Sequence, residues 1–492
     1  MARDRILFLS SNGTGLGHLT RSMAIARRLD PRLEPLFFTL SGAAPVVAQQ
    51  GFEVEFAASY ATPTAGSDWR WSRRLRGRLR AAMRDADPRV MVFDGAHPYQ
   101  ALLDAMPSVP DAHRVWCRRP MWKPGSNFGA LERTRFFDRV LEPGEFAAPE
   151  DRGATVALQA NAHCVDPVVF LDDSELLGRA EAERELGFEP GGVNVLVQLG
   201  QGAEVRAASE RCLAHLAGVE GVRVAALRSH LAAIGETSQG VIGLEATYPM
   251  SRYLRAFDAS VSAAGYNAYH ELIRFEVPSL FVPMRRQTDD QEARARFAES
   301  SGVGRGVSGP SAPELEAKLG ELLDRGAREA MRAALSRQRP ANGAGTAARW
   351  LADLAATERV RKPAAKRWKR YAAHPVASAR AAAPFAARVP GAVGRIAHQT
   401  ITRPSARTVI DAQGLGPDEV SRLLPGALES SGEDPARVLV LTDRPEVLPV
   451  LRGAGVGGEH VTGPGRRDLI LAERPRIRRL MRLDPAIPSE GS

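Results

Sequence analysis

Short apolar runs rich in Val, Leu and Phe alternate along this chain with stretches of helical period. In the first block Ile6–Ser10, Pro35–Leu40, Glu53–Ala57, Val90–Asp94 and Arg114–Cys117 read as strands, and Thr20–Asp30 is the clearest amphipathic helix between them. In the second block Val193–Leu199, Val222–Leu227, Val241–Glu245, Ala259–Ala263 and Ser279–Pro283 read as strands, with helices starting near Ala203, Ser251, Asn267 and Asp290. Runs of this length bounded by Gly, Pro and polar clusters mark buried strands, and their alternation with helices predicts an α/β fold with parallel sheets. Past Arg359 the pattern stops. It resumes as strands at Thr408–Ala412 and Val438–Thr442 around a helix at Pro417–Ser430. The expected domains are 1–165, 166–355, a basic Ala/Pro-rich linker over 356–407 and a small α/β unit over 408–492.

Composition changes this picture little. A length of 492 residues suggests about three domains. The three cysteines, Cys117, Cys164 and Cys212, form no C-x-x-C pair and imply neither a zinc site nor a disulfide framework. The apolar start Ile6–Ser10 is a strand, too short for a signal peptide, and no apolar run approaches the roughly 18 residues of a spanning helix. A cytoplasmic protein, peripheral at most on a membrane, is the expectation.

Charge adds a question of partners. The formal net charge is +9, and from Arg359 to Thr408 there is no Asp or Glu. Trp69–Arg80 joins tryptophan to a row of arginines, and Trp116, Arg118, Arg119 and Trp122 form a second such group. These suit an anionic lipid interface or a nucleic-acid surface; the plainer alternative is a solvated helix face with tryptophan in the core. An anionic membrane surface is the partner expected, with no nucleic acid.

Two strand-to-helix glycine turns hold the candidate chemistry. In Ser10-Ser11-Asn12-Gly13-Thr14-Gly15-Leu16-Gly17-His18, glycines let a ligand approach the backbone, and the helix that follows favours negative charge. The G-x-G-x-x-G frame of dinucleotide sites would need glycine where His18 stands, and no P-loop lysine is present. His18 at the mouth of a sheet can take a proton from a hydroxyl near neutral pH. Asp94, ending a strand ahead of Gly95-Ala96-His97, can orient His18 or bind an acceptor; a structural turn is the other reading. Asp85-Ala86-Asp87 matches the D-x-D letters of metal-dependent transferases but lies ahead of a strand, so no metal is expected there.

The second turn, Ser262-Ala263-Ala264-Gly265-Tyr266-Asn267-Ala268-Tyr269-His270-Glu271-Leu272, presents a helix N-terminus at Gly265 to Asn267 that suits a pyrophosphate. Glu271, one turn in, can accept both hydroxyls of a ribose. The polar loop Arg285 to Gln291 follows the next strand and can hydrogen-bond a sugar.

Together the Gly-x-Gly-x-Gly-His turn, Ala-Gly-Tyr-Asn-x-x-x-Glu-Leu, Val-Pro-x-Leu-Phe-Val-Pro and Asp-Asp-Gln resemble GT-B glycosyltransferases. The nearest type is the N-acetylglucosaminyltransferase of lipid-linked peptidoglycan precursor synthesis, over roughly residues 3–350. The resemblance implies two Rossmann-like domains facing across a cleft, an acceptor domain first and a nucleotide-sugar domain second. It implies transfer from a UDP-sugar to a hydroxyl, inverting and without metal or other cofactor, with a lipid-linked acceptor. It places Gln201, Gly202, Ala203, Gly265, Tyr266 and Asn267 at the nucleotide and diphosphate, Glu271 at the ribose, Asp290 and Gln291 at the donor sugar, and His18 with Gly15 and Gly17 at the reaction centre. Gln198-Leu199-Gly200 stands where the family has Gly-Gly-Ser, and Asp289-Asp290-Gln291 where that enzyme has a Gln-Gln pair. Two other functions suit the same pattern: a nucleotide-sugar 2-epimerase, which needs several carboxylates in the cleft, and a non-catalytic envelope-assembly binding protein.

Overall fold

The computed structural model describes residues 4–11, 16–59, 68–189, 191–200, 203–227, 241–244, 248–358, 408–460 and 479–483. Gly15, Gln201, Gly202 and nearly all of the acid-free stretch lie outside them, and of Ala203 only the backbone is described.

Three parallel sheets follow one another. The first has strands β1 (Asp4–Ser10), β2 (Leu33–Thr39), β3 (Glu53–Phe56), β4 (Val90–Asp94), β5 (His113–Cys117), β6 (Arg139–Pro143) and β7 (His163–Val165) in the order β3-β2-β1-β4-β5-β6-β7. The second has β8 (Val193–Gln198), β9 (Val222–Leu227), β10 (Val241–Leu244), β11 (Ala259–Ala263), β12 (Ser279–Val282) and β13 (Arg305–Gly306) in the order β10-β9-β8-β11-β12-β13. Both are doubly wound: the chain reverses direction across the sheet between β1 and β4, and again between β8 and β11. A crevice opens at the carboxyl ends of the two strands flanking such a reversal, and ligands of open α/β sheets bind there. Ser10 pairs with Asp94 at the first crevice and Gln198 with Ser262 at the second. Both glycine turns of the sequence therefore sit at switch points.

The strands absent from the sequence reading are β6, next to the edge of the first sheet, and the edge strands β7, β13 and two in the third sheet. His163–Val165 and Arg305–Gly306 are too short to show a period, and an edge strand need not be apolar on both faces. Where a helix is expected from Ser251, the chain makes a 3₁₀ turn, Met250–Ala256.

The helix Ala344–Ala356, last of the second block in sequence, packs on the first domain. Its Ala344, Ala347, Ala348 and Leu351 share a core with Ile6, Phe8 and Val92, and Arg89 donates to the Ala355 carbonyl at 2.9 Å. The third sheet, β14 (Thr408–Asp411), β15 (Val438–Thr442), β16 (Gly457–His460) and β17 (Arg479–Arg482), runs in the order β16-β15-β14-β17. It docks beside β3: Arg78 donates to the His460 carbonyl at 2.8 Å and Arg452 to the Gly42 carbonyl at 3.0 Å.

These contacts correct the reading of the basic–aromatic groups. Trp116 and Trp122 are fully buried, and Arg118 is paired with Glu142 in the interior at 2.9 Å. That group is core and cannot meet a lipid surface. In the helix Asp68–Ala86, Trp71 donates its indole N–H to the Ala58 carbonyl at 2.9 Å, and Arg78 is buried against Glu55. Asp85 lies at the opposite end of the sheet from the crevice, its carbonyl bonded to Arg5 at 3.1 Å. Among the described residues no His, Cys, Asp and Glu group could hold a metal. No described helix is long and apolar enough to cross a membrane.

Candidate functional site

At the first switch point the helix Gly17–Ala26 starts right after the glycine turn, so His18 stands on its first turn and Arg21 one turn further on the same face. Asp94 closes β4 beside them. His18 Nδ1 lies 2.7 Å from Asp94 Oδ1. Arg21 Nε donates to Asp94 Oδ2 at 2.8 Å, and Arg21 Nη2 donates to Oδ1. Arg21 and Asp94 are almost wholly shielded from water, whereas His18 keeps 19% of its side-chain surface.

The electrostatics fix the protons. Burial alone would raise the Asp94 carboxyl, but the Arg21 guanidinium and His18 hold it below its ordinary value. Burial lowers the His18 imidazole; Asp94 pulls it up, and Arg21 and Arg119 push it down again, so the net shift is downward. A carboxylate at Oδ1 can only accept, so the imidazole proton resides on Nδ1 and Nε2 keeps its lone pair. An imidazole held in this way can accept a proton at Nε2.

The second switch point faces this group. The helix Tyr266–Arg274 begins at Gly265 with no side-chain cap among the described residues, which leaves its first-turn N–H groups open to a ligand there. Asn267 Nδ2 donates across the gap to the Gly17 carbonyl at 3.3 Å, and its buried Oδ1 has no partner among the described residues. The uncapped starts of the Gly17 and Tyr266 helices thus meet across the cleft. Glu271 lies deeper on the second helix. Burial raises its carboxyl to about 7, against the opposing pull of the Phe170 amide and the Ser251 hydroxyl. Tyr248 stands nearby, its hydroxyl donating to Thr20 Oγ1 in the first domain at 3.2 Å.

The polar loop after β12 has a different place from that of the helix start. Asp290 caps the helix Gln291–Ser300 by accepting from the Ala293 amide at 3.1 Å. Gln291 accepts from the Met284 amide at 2.9 Å and donates to Asp289 at 3.1 Å. Asp289 also takes Arg119 of the first domain at 2.9 Å and the fully buried Arg294 at 2.8 Å. Arg294 reaches on to Glu145 at 2.9 Å, and though burial alone would raise that carboxyl, Arg294 and His270 hold it at about 2. Trp122 bridges to Asp289 as an antiparallel pair, so the two domains are stitched together on this side of the cleft. Gln291 still reaches the site, with Nε2 3.8 Å from where a Cβ on Gly265 would stand. His97 is at the rim, 3.4 Å from Asn127 Oδ1.

Arg21, Arg119, Glu145, His270 and Arg294 were not singled out by motif. Arg21 had a signal, its spacing of three from His18 on an amphipathic helix. His270 stands next to Glu271 in the quoted turn, whereas Arg119, Glu145 and Arg294 come from separate elements that no local pattern joins.

Residues 229–347 match the model of the glycosyltransferase family 28 C-terminal domain. A search of curated proteins gave no match. Among solved structures, the spinosyn forosaminyltransferase SpnP is 14% identical with a TM-score of 0.50, over 72% of this chain and 100% of that one. MurG from Acinetobacter baumannii is 15% identical with a TM-score of 0.46, over 71% and 99%. SnogD from Streptomyces nogalater is 18% identical with a TM-score of 0.44, over 72% and 99%. At such identities the likeness is one of fold. The chain has the GT-B fold, two Rossmann-like domains across a cleft, and much of its second domain matches a glycosyltransferase family 28 C-terminal domain.

Proposed function

We propose that this protein is a glycosyltransferase that moves a sugar from a nucleotide-sugar donor, UDP-linked, to an acceptor hydroxyl with inversion. The observation that supports it best is the facing pair of switch points: the His18–Asp94 pair on one wall, and an uncapped helix start at Gly265 with Glu271 behind it on the other. In this reading Glu271 accepts from the ribose hydroxyls, and the amides of Tyr266, Asn267 and Ala268 receive the diphosphate. His18 Nε2 takes the proton of the acceptor hydroxyl as its oxygen attacks the anomeric carbon. The bond from that carbon to the diphosphate oxygen breaks, and the charge that develops there meets the helix amides. Backbone amides supply this stabilisation, so the route is written without a metal.

The resemblance carried by the motifs suggests a lipid-linked acceptor and a membrane-peripheral enzyme, with the basic stretch beyond Arg359 as the surface that docks. A 2-epimerase fits less well, because Asp94 is occupied by Arg21 and Asp289 by two arginines, leaving Glu271 as the carboxylate near the helix start without an arginine partner.

A thermal-shift screen of nucleoside diphosphates and nucleotide sugars tests the reading. A ligand that binds only the folded state raises the melting temperature with its concentration. One nucleotide base is expected to stabilise the protein, and Glu271→Ala to abolish the effect. A protein indifferent to every nucleotide at millimolar concentration has no donor site in this cleft.

A further inference from the structure

Arg21 is a charged group beside the reaction centre that the proposed reaction does not use. Arg21 is 1% exposed, and its Nε–Nη2 edge spans both oxygens of Asp94. Its guanidinium carbon also sits 5.1 Å from the centre of the Tyr266 ring, the first residue of the facing helix. Tyr266 is itself fixed, donating to the Gly144 carbonyl at 2.9 Å and accepting from the Val168 amide at 3.0 Å. Arg21 is therefore held from both domains.

We propose that Arg21 is the positioning residue of this site: by clamping both oxygens of Asp94 it lets that carboxylate orient His18 without drawing a second proton onto the imidazole. The inference rests on the reading of His18 as the base.

The reasoning is one of charge balance in a place with little water. Asp94 faces a cation on one side and an imidazole on the other, and Oδ1 is shared between them. With Arg21 in place the carboxylate is already neutralised, and a charged imidazole would stand beside Arg21 and Arg119 with no anion of its own. Without Arg21, the buried carboxylate has only His18 left to pair with. It would then hold His18 as the imidazolium, which cannot accept a proton from an acceptor hydroxyl. The other groups that face the cluster do not replace Arg21. Arg119, from the segment after β5, is taken by Asp289. Cys117 on β5 lies beside Asp94 with its thiol pushed far up by burial, and Tyr266 is likewise pushed up, so both stay neutral. Arg21 Nη2 is also 3.2 Å from His18 Nδ1; with the proton on Nδ1 both groups are donors, and the Asp94 oxygen they share accepts from each.

Two measurements on the full chain test this. Turnover with the nucleotide sugar found by the thermal screen is followed against pH in the wild type, Arg21→Met and Arg21→Lys. In parallel the His18 imidazole is titrated by NMR on histidine-labelled protein, the signal being assigned by its loss in His18→Gln. In Arg21→Met the acid limb should move to higher pH, so that the ratio of turnover at pH 6 to that at pH 8 falls roughly tenfold. The His18 signal should titrate higher to the same extent, with donor affinity within about twofold of wild type. Arg21→Lys should lie between the two. Should Arg21→Met not fold, Arg21→Lys and the double variant Arg21→Met/Asp94→Asn take its place; the double variant has no carboxylate, and its His18 must not titrate higher than in the wild type. A folded Arg21→Met, or Arg21→Lys in its stead, with the wild-type His18 titration overturns the inference, as does a double variant whose His18 titrates higher. If His18→Gln turns over normally the base reading itself has failed, and the NMR titration still decides what Arg21 does to His18.

Discussion

Glu271 shows how one residue's surroundings set what can be measured. In the free protein its carboxyl stands at about 7, raised chiefly by burial. The sign follows from linkage. Because folding favours the protonated form, the free protein is least stabilised where Glu271 must ionise, above about pH 7, and the penalty vanishes below the ordinary carboxyl range. Glu271→Gln should therefore melt higher than wild type at about pH 8 and alike near pH 4. Donor binding runs the other way. Ribose hydroxyls donate to a carboxylate, so the complex prefers the ionised form, a proton is released on binding, and affinity rises as pH climbs from about 6 to 8. Calorimetry in two buffers of different ionisation enthalpy reads that proton directly. Affinity that is flat in pH, or no proton released, would place the ribose elsewhere. The sequence pointed to His18, Asp94 and Glu271 because each sits at a fixed offset from a turn or strand end. It did not place Arg119, Glu145 or Arg294 at the site, because Arg119 meets Asp289 across 170 residues and Arg294 meets Glu145 across 149, pairings that appear only when two domains close on one another.

At the scale of elements, strand followed by glycine turn followed by helix is the unit that matters, and it recurs at both switch points. Such units are legible because buried parallel strands must be apolar and the turn must admit a ligand. The shortest edge strands, His163–Val165 and Arg305–Gly306, and the 3₁₀ turns are not, since they are too short to show a period. The start of the Tyr266–Arg274 helix is the element that the proposal depends on most. Gly265 has φ −74°, a value any residue can adopt, and a Cβ there would meet only Gln291 at 3.8 Å. The fold does not need this glycine; in the proposed reading, a diphosphate close to the backbone does. Gly265→Val should thus leave the melting temperature near that of the wild type while weakening the donor at least roughly tenfold, by occupying the space over the open amides. A variant that melts early without losing affinity would mean that Gly265 serves packing and the diphosphate lies elsewhere.

The whole molecule ties these units into one cleft. The helix Ala344–Ala356 returns from the second domain to the core of the first, and Arg119, Trp122, Asp289 and Arg294 join the lobes on one side of the gap. Beside them, with Arg119 and Arg294 each 5.9 Å from the Tyr266 ring centre, the starts of the Gly17 and Tyr266 helices meet through Asn267. Trp116 and Trp122, which could be read as membrane anchors, are instead the packing of β5 and its following segment. Misreading them was natural from sequence, where an aromatic beside arginines looks the same on a surface and in a core. The third sheet has its own switch point between β14 and β17 and rests on the edge of the first domain; it takes no part in the cleft chemistry proposed here. The central claim is that the cleft performs base-assisted transfer from a nucleotide sugar, and the release of nucleoside diphosphate at saturating donor, compared between wild type and His18→Ala, tests it most directly. The account predicts release slowed by about 100-fold or more with donor affinity unchanged; release at near the wild-type rate would contradict it.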